Sequence, residues 1–442
     1  MSVRWCAVWV SASALAVTGQ VVAASTATAA PSATAVVAAT ETWGSVHGFE
    51  RAPHGQSMAV DARGVTTVVW GSQKGWPEPV KVAQRTAAGR WLAPVTLGAG
   101  YSPVVGTDRA GNLIVAWCRD RTGFTTGVWA ARKPWGKPWT RPVHLSRDAV
   151  APGYPDGESR YGALDLDLAV HPGGATLVTW QWGSAERHIP FRIQAVYRPT
   201  RGPWGSMHAV TPAAAAGNAH TAFAPNGRAW VAYERSPASG PTAVKVRSRS
   251  MTGVWSPAER VGTGALGELG VGRHGAVTIV FGGRGRVRVA VRPATTGVWK
   301  APVPVTPSSV HVRQWSVALN PAGACLVAYL WKRDRVDAVR RTAGGRWTTP
   351  MTLADPTVSL AGVMTGLNAR GDMFAGWDNS YGMWGRYRPA GQGWHATTTA
   401  QPDSGQVDVL EATQTLVAPG GDVVPLWAQE ERPLRARVLS VP

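Results

Sequence analysis

The sequence predicts an all-β fold: a single β-propeller of eight four-stranded blades, the last of which combines the two ends of the chain. Three observations support this prediction. Two sequence marks recur together in eight units, the strands that follow the first mark are apolar on both faces, and the two chain ends complement each other. Seven blades followed by an irregular tail is the alternative. The propeller is predicted over residues 41–442, after a secretory signal peptide at 1–30 and a linker at 31–40.

The first mark is a turn that ends in glycine and is followed six residues later by an aromatic residue. Successive glycines lie 47, 63, 53, 48, 48, 48 and 50 residues apart, a regularity typical of repeat architectures. The eight pairs are Gly64 and Trp70, Gly111 and Trp117, Gly174 and Trp180, Gly227 and Tyr233, Gly275 and Phe281, Gly323 and Tyr329, Gly371 and Trp377, and Gly421 and Trp427.

The second mark is a tryptophan that is predicted to open a short fourth strand in each unit. These residues are Trp43, Trp91, Trp139, Trp204, Trp255, Trp299, Trp347 and Trp394. The strand after each glycine is apolar at both odd and even positions, as in 113–117, so both of its faces must be covered. Four antiparallel strands per unit, covered on both faces by neighbouring units, describe the blade of a propeller.

The chain ends supply an independent test of closure. The Trp43 strand precedes any glycine–aromatic pair, and the last pair, Gly421 and Trp427, is followed by an arginine-rich strand but by no tryptophan strand. One surplus strand and one missing strand therefore combine into a closing blade. Pro425 lies within the second strand of that blade, and because proline removes a ladder donor we expect a bulge there.

The register also predicts the state of two cysteines. Cys118 falls in blade two and Cys325 in blade six, which lie opposite each other in a ring of eight. That separation far exceeds the ~7 Å between Cα atoms that a disulfide tolerates. We therefore expect two free thiols.

Residues 1–30 carry one charge at Arg4, then an apolar stretch that is shorter than the roughly 20 residues of a membrane span, then small residues. This order is typical of a secretory signal peptide, so we expect a secreted, extracellular protein without a membrane span after cleavage. The mature chain would hold 44 basic and 26 acidic residues. No long Lys/Arg run exists, which argues against a specific nucleic-acid partner and leaves attraction to anionic extracellular polymers open.

The repeat pattern resembles that of secreted bacterial propellers loosely grouped with the sialidase superfamily. The resemblance covers residues 41–442, and it specifies the fold better than the function. The sialidase Asp-box, Ser-x-Asp-x-Gly-x-Thr-Trp, is not matched, because the segment from Asp61 to Trp70 has a different spacing. Residues 191–194, Phe-Arg-Ile-Gln, nearly match the Phe/Tyr-Arg-Ile-Pro signature but lie in mid-chain and lack the proline.

Length variation points to a site in blade three, where the glycine spacing swells to 63 residues. In a propeller, the loops that join strand four to strand one and strand two to strand three share one face, and variable loops often carry function. Aromatic rings flanked by carboxylates and arginines suit sugar rings. Solvated polar residues in an insertion are the alternative interpretation. The candidate ligand-binding residues are Tyr154, Asp156, Glu158, Arg160, Tyr161, Trp182, Glu186, Arg187 and His188.

The sequence thus favours a binding propeller for a glycan or anionic polymer. One alternative is an exo-acting glycoside hydrolase or lyase that uses Asp156 and Glu158, and another is a protein-interaction scaffold. We expect a monomer with no cofactor, and no metal because the histidines lack zinc-site spacing. Weaker candidate groups are residues 331–334 and Asp378, Asn379 and Tyr381, with Trp76 and Trp384 as possible platforms.

Overall fold

The computed structural model is an eight-bladed β-propeller, as predicted. It describes residues 41–441 except 52, 73–77, 121–124, 147–160, 185–188, 214, 238, 284, 333–334, 343, 356–359, 380–381, 402–409 and 430–432. The described residues form 34 strands and no helix. Within them, no helix is long and apolar enough to cross a membrane.

The chain begins with β1 (Thr42–Trp43) and β2 (His47–Arg51) and then forms the blades in order. Blade one holds β3 (Pro53–Val60), β4 (Thr66–Ser72), β5 (Pro79–Arg85) and β6 (Val95–Ala99). Blade two holds β7 (Tyr101–Thr107), β8 (Leu113–Asp120), β9 (Thr125–Lys133) and β10 (Val143–His144). Blade three holds β11 (Tyr161–Val170), β12 (Thr176–Ser184), β13 (Ile189–Arg198) and β14 (His208–Ala209). Blade four holds β15 (Ala216–Phe223), β16 (Ala229–Arg235), β17 (Ala243–Arg249) and β18 (Glu259–Thr263).

Blade five holds β19 (Ala265–Val271), β20 (Val277–Gly283), β21 (Arg286–Arg292) and β22 (Val303–Pro304). Blade six holds β23 (Val312–Leu319), β24 (Cys325–Trp331), β25 (Arg335–Arg341) and β26 (Met351–Ala354). Blade seven holds β27 (Gly362–Leu367), β28 (Met373–Asp378), β29 (Met383–Arg388) and β30 (Thr398–Gln401). The closing blade holds β31 (Leu410–Val417), β32 (Val423–Gln429), β33 (Pro433–Ala436) and β34 (Leu439–Ser440), together with β1 and β2.

The glycine of the first mark closes a tight hairpin between the first two strands of every blade. In all eight, its N–H donates to the carbonyl three residues earlier, as in Gly64 to Asp61 at 3.0 Å. Its φ lies between 79° and 105°, a conformation that favours glycine. An Asp or Asn side chain reinforces some of these turns: Asp108 Oδ1, for example, accepts the Asn112 N–H at 2.9 Å.

The aromatic residues of the first mark form the cores between blades. All eight are buried, with exposures of 0–4%. The second strand is buried on both faces, as in β4, β24 and β28, so the expectation that both of its faces are covered is confirmed.

The first strands of the blades stand side by side around the central channel, and they meet through small residues. The position five before the turn glycine is Ala or Gly in seven of the eight blades. A Cβ at Gly106 would lie 2.7 Å from Val170 of the next blade, and one at Gly270 would lie 2.7 Å from Leu319. Each small residue thus receives a large side chain from the following blade, which sets the spacing of the ring.

The second mark needs a correction. In blades one to seven, the outer strand begins four residues after the tryptophan rather than at it, as β6 begins at Val95 after Trp91. In the closing blade, Trp43 itself lies in β1. Three of these tryptophans, Trp91, Trp255 and Trp347, make a single bridge to an arginine of the third strand. All eight are half-buried, and Trp91 stacks on His47 with ring centroids 5.0 Å apart.

The closing blade confirms that the two chain ends combine. Trp43 pairs with Leu439 and His47 with Ala436, so β1 and β2 supply its outer strand. The third strand is divided into β33 and β34 opposite Pro425, where proline offers no N–H to the ladder. The last blade is also joined to the first near the channel, where the Met58 N–H donates to Gln414 Oε1 at 2.6 Å.

Cys118 and Cys325 are both buried and neither forms a disulfide, as the register predicted. Blades two and three are also joined, because Tyr161 and Gly162 of β11 pair in parallel with Thr125 and Thr126 of β9.

The small residues of the ring can be tested with Gly106→Val. The added side chain has no room beside Val170, so we expect a loss of about 1–3 kcal/mol in the free energy of unfolding. Urea denaturation of the variant and the wild type measures it. Gly283→Ala is the control, because a Cβ there meets nothing within 4 Å. Equal effects of the two substitutions would contradict the packing argument.

Candidate functional site

The first strands present an unpaired edge to the channel, and polar side chains accept hydrogen bonds from its N–H groups. The position seven before the turn glycine is polar in six blades. Ser57 Oγ accepts the Val105 N–H at 3.4 Å, and Asp167 Oδ2 accepts the Thr221 N–H at 2.5 Å. Each acceptor belongs to one blade and each donor to the next. The six residues are Ser57, Asp167, His220, Glu268, Ser316 and Gln414.

Three neighbouring members of this set, Asp167, His220 and Glu268, form what we call the buried acid–histidine layer. They come from blades three, four and five and are 4%, 2% and 8% exposed. The His220 Nδ1 atom lies 4.0 Å from Glu268 Oε1, and Asp167 also accepts the Thr221 hydroxyl at 2.6 Å. Titratable side chains are thus concentrated on one side of the channel.

Burial sets the charge of this layer. It lowers the pKa of His220, an effect that the neighbouring Asp167 carboxylate opposes. Burial, together with repulsion from Asp167, raises the pKa of Glu268 well above its ordinary value. Burial also raises the pKa of Asp167, although His220 and the Thr221 donors oppose the shift. The layer therefore favours a neutral imidazole and a protonated Glu268.

Above this layer, the same strands bulge and direct polar groups to the channel mouth. The register of β11 shifts between Leu164 and Asp167, and that of β15 between Gly217 and His220. Within these bulges Asp165 has a φ of 47° and Asn218 a φ of 46°. Asp and Asn tolerate this left-handed conformation better than other side chains. Bulges often redirect side chains beside functional sites.

Glu234, at the end of β16, completes the polar part of the mouth. Its Oε1 atom accepts the Asn218 amide at 2.6 Å and the Leu266 N–H at 2.7 Å. Asn218 also donates to the Leu266 carbonyl at 3.0 Å, so blades four and five share one network. Burial raises the pKa of Glu234 and the Asp165 carboxylate adds to the shift, while the two N–H donors oppose it.

An aromatic ring stands next to this network. Gly267 lies in the bulge of β19, and a Cβ there would meet the Trp315 indole at 2.1 Å. The glycine therefore makes room for the half-buried Trp315 of blade six. We call Asp165, Asn218, Glu234 and Trp315 the mouth cluster.

The mouth cluster offers two carboxylates, one carboxamide and one aromatic face within four consecutive blades. Such groups can accept and donate hydrogen bonds to hydroxyls while an apolar ring face is stacked. Among the residues that the structure describes, no group of three or more His, Cys, Asp or Glu side chains could hold a metal ion.

The site predicted in blade three falls largely outside the described residues. This applies to Tyr154, Asp156, Glu158, Arg160, Glu186, Arg187 and His188. Tyr161 begins β11, on the same face as the mouth cluster. Trp182 is half-buried against the core between blades two and three, with the Arg192 guanidinium 4.4 Å from its ring centroid. A role of these residues in ligand binding stays a prediction.

Some of the weaker candidates also lie outside the described residues, and most of the others are buried or half-buried. Trp331 is 8% exposed and donates from Nε1 to Asp337 at 2.7 Å, so it belongs to the blade core. Asp378 and Asn379 are buried, and Trp384 is half-buried. Arg333, Asp334, Tyr381 and Trp76 lie outside the described part of the chain.

Sequence reasoning missed the mouth cluster. The available signal was the alignment of the first strands on their turn glycines, which places Asp165 and Asn218 nine residues before Gly174 and Gly227. Loop length drew attention to the insertion instead, although the polar groups lie on strands of ordinary length.

No protein-family model matches the chain, and no curated protein does. Among solved structures it is similar to the BP39L lectin from Burkholderia pseudomallei, with a TM-score of 0.53 and 13% identity over 79% of this chain and 99% of the lectin. It is also similar to the polysaccharide lyase Uly1, with a TM-score of 0.49 and 10% identity over 90% and 92% of the two chains. A Hadza microbial sialidase follows at a TM-score of 0.45 and 11% identity, over 85% and 76%. The expected propeller fold is thus confirmed by its similarity to a solved structure.

The buried acid–histidine layer predicts a pH effect on stability. The raised pKa of Glu268 means that the folded protein binds this proton more tightly than the unfolded chain does. Its contribution to the free energy of unfolding therefore falls as pH rises from about 4.5 through the folded-state pKa. Glu268→Gln removes that decline, so the variant should gain stability relative to the wild type between pH 5 and pH 8.

Urea denaturation at several pH values measures this difference. Ser316→Ala, an uncharged change at the same level of the ring, is the control and should follow the wild-type profile. Parallel profiles for Glu268→Gln and the wild type would show that Glu268 is not the group responsible.

Proposed function

We propose that this protein is a secreted propeller that binds a glycan through the mouth cluster. The observation that carries the proposal is the hydrogen-bond network of Glu234 and Asn218 with Leu266 at the channel mouth. The Trp315 ring packs against the neighbouring Gly267, and Asp165 acts on Glu234 electrostatically. A lectin that shares the fold over 99% of its length adds support. Secretion rests on the signal-type segment at residues 1–30.

The chemistry of the mouth cluster suits a sugar hydroxyl pair. Glu234 is held in place by the Asn218 amide and the Leu266 N–H, so little side-chain freedom remains to be lost when a ligand binds. Asp165 is exposed and can accept hydrogen bonds from hydroxyls. Trp315 can stack on the apolar face of the ring.

The charge of the mouth cluster narrows the ligand class. Burial raises the pKa of both Glu234 and Asp165, and the two carboxyls interact electrostatically. Whichever carboxyl is ionised repels an anionic group, so a terminal sialic or uronic acid is disfavoured here. We therefore propose a neutral or amino sugar as the terminal residue.

A glycoside hydrolase or lyase is the second candidate. Glu234 has a raised pKa beside Asp165, and a carboxyl of raised pKa paired with a second carboxylate is the arrangement that acid-assisted glycoside cleavage uses. The pair favours this candidate over a purely structural scaffold, whose channel mouth would need no such groups.

Binding is tested on a glycan array with the wild type, Trp315→Ala and Asn218→Ala. We expect each substitution to weaken binding of neutral or amino sugars at least tenfold, because stacking or a hydrogen-bonding group is lost. Trp135→Ala is the control, since Trp135 is 47% exposed on the opposite face. Unchanged binding by both mouth variants would refute this site. A loss confined to Trp182→Ala and Arg187→Ala would move it to the blade-three loops.

Catalysis is tested with a panel of fluorogenic aryl glycosides. If the protein is a hydrolase, Glu234→Gln should abolish turnover while glycan binding is retained. Turnover that survives Glu234→Gln but not Glu158→Gln would assign the acid to the blade-three loop. Binding without turnover of any substrate in the panel supports the lectin-like function.

A further inference from the structure

A second polar site lies on the opposite face, where the glycine turns and the connections from third to fourth strands emerge. A cleft of about 690 Å³ opens there between blades two and three. Four arginines line it: Arg109, Arg132, Arg198 and Arg201. Asp108 is the one acidic residue in its lining, and both of its carboxylate oxygens accept hydrogen bonds from Asn112, at 2.9 and 2.7 Å.

The repeat itself shows that this cleft is unusual. Arg198 ends the third strand of its blade, and the same position holds an arginine in five other blades. Three of those arginines have a partner in a neighbouring segment. Arg85 lies 4.0 Å from Asp422, and Arg249 lies 3.9 Å from the ring centroid of Tyr197. Arg341 donates to the Gly323 carbonyl at 3.2 Å. Arg292 lies over Trp230, although its buried Nε has no hydrogen-bond partner among the described residues. Arg388 is 7% exposed and lies beside Arg340.

In the cleft, the position next to Arg198 on the neighbouring blade is occupied by another arginine. Arg132 stands one residue before the end of its third strand, where blade three has Tyr197. Burial lowers the pKa of Arg198 and repulsion from Arg132 adds to this, while Asp108 opposes it. A second positive charge thus lies beside Arg198, where Tyr197 lies beside Arg249 in the next gap.

The protein leaves these guanidinium groups incompletely satisfied. Arg132 Nε and Arg198 Nη1 are buried and have no hydrogen-bond partner within the described part of the chain. In that part, none of the four arginines has a carboxylate within 4.0 Å in an ion pair. Four guanidinium groups against one carboxylate, which Asn112 already occupies, leave a large excess of positive charge.

We propose that this cleft binds a phosphate group carried on an extracellular ligand. Guanidinium groups match phosphate oxygens with paired N–H donors, and a dianion offsets the excess charge better than a monoanion does. The Thr200 hydroxyl lies in the same lining and can donate a further hydrogen bond. This site is independent of the mouth cluster and lies on the other face of the propeller.

Isothermal titration with glucose 6-phosphate, glucose 6-sulfate and glucose at pH 7.5 and constant ionic strength tests the proposal. We expect the dianionic phosphate to bind at least tenfold more tightly than the monoanionic sulfate, and glucose not to bind at the cleft. Arg198→Gln and the exposed pair Arg109→Gln/Arg201→Gln should each weaken phosphate binding at least tenfold. The exposed pair keeps the test valid if Arg198→Gln does not fold.

Arg292→Gln is the matched control, because it removes one arginine from the same repeat position in blade five. It should change phosphate affinity by less than twofold. Absence of phosphate binding by the wild type, or an equal loss in the Arg292 control, overturns the proposal. Trp315→Ala should leave phosphate binding unchanged, so a failure of the glycan site and a failure of the phosphate site are distinguishable.

Discussion

The propeller depends on how the eight first strands satisfy their inner edges. A strand at the edge of a sheet exposes unpaired N–H groups, and here all eight such edges face one channel. The side chain seven residues before the turn glycine can reach the backbone of the next blade, as Gln414 does to Met58 and Asp167 to Thr221. These hydrogen bonds join blade one to blade two, blade three to blade four, and the last blade to the first. Closure is therefore a property of the inner ring as well as of the outer strand.

The same requirement explains why titratable groups are buried along the channel. A polar residue is needed at this level, but its identity can vary, because serine, glutamine and aspartate all accept an N–H. Blades three to five hold Asp167, His220 and Glu268, which costs desolvation energy that Ser or Gln would not. The mouth cluster lies directly above these residues on the same strands. The concentration of ionisable groups in one sector, rather than around the whole ring, is the reason for proposing a site there.

The sequence was sufficient for the blade number, the closing blade and the free thiols, because these follow from spacing along the chain. It was insufficient for the mouth cluster, because blade five connects the two parts of that cluster. Leu266 donates to Glu234, and the adjacent Gly267 makes room for Trp315. The bulges of β11 and β15 are likewise invisible in a pattern of alternating residues. The tryptophans show the same limit. Their positions predicted the start of the outer strand, but in blades one to seven that strand begins four residues later along the chain.

The two faces of the propeller differ in charge although the chain as a whole is strongly basic, with a net charge of +19. The mouth carries carboxylates, whereas the turn face repeats an arginine at the end of most third strands. Since Tyr197, Trp230 or Asp422 partners that arginine elsewhere, the repeat by itself produces a basic face without a binding site. An arginine takes the place of Tyr197 in two gaps, as Arg132 beside Arg198 and as Arg340 beside Arg388. The gap at Arg198 differs because Arg109 and Arg201 also line it. The cleft arises where several arginines share one gap with a single carboxylate. The bulges behind the mouth cluster instead belong to the repeat, because seven of the eight first strands show a register shift. On the mouth face, function is therefore expected to depend on which side chains occupy the repeated bulge, such as Asp165 and Asn218, and on the turn face on how many arginines meet in one gap.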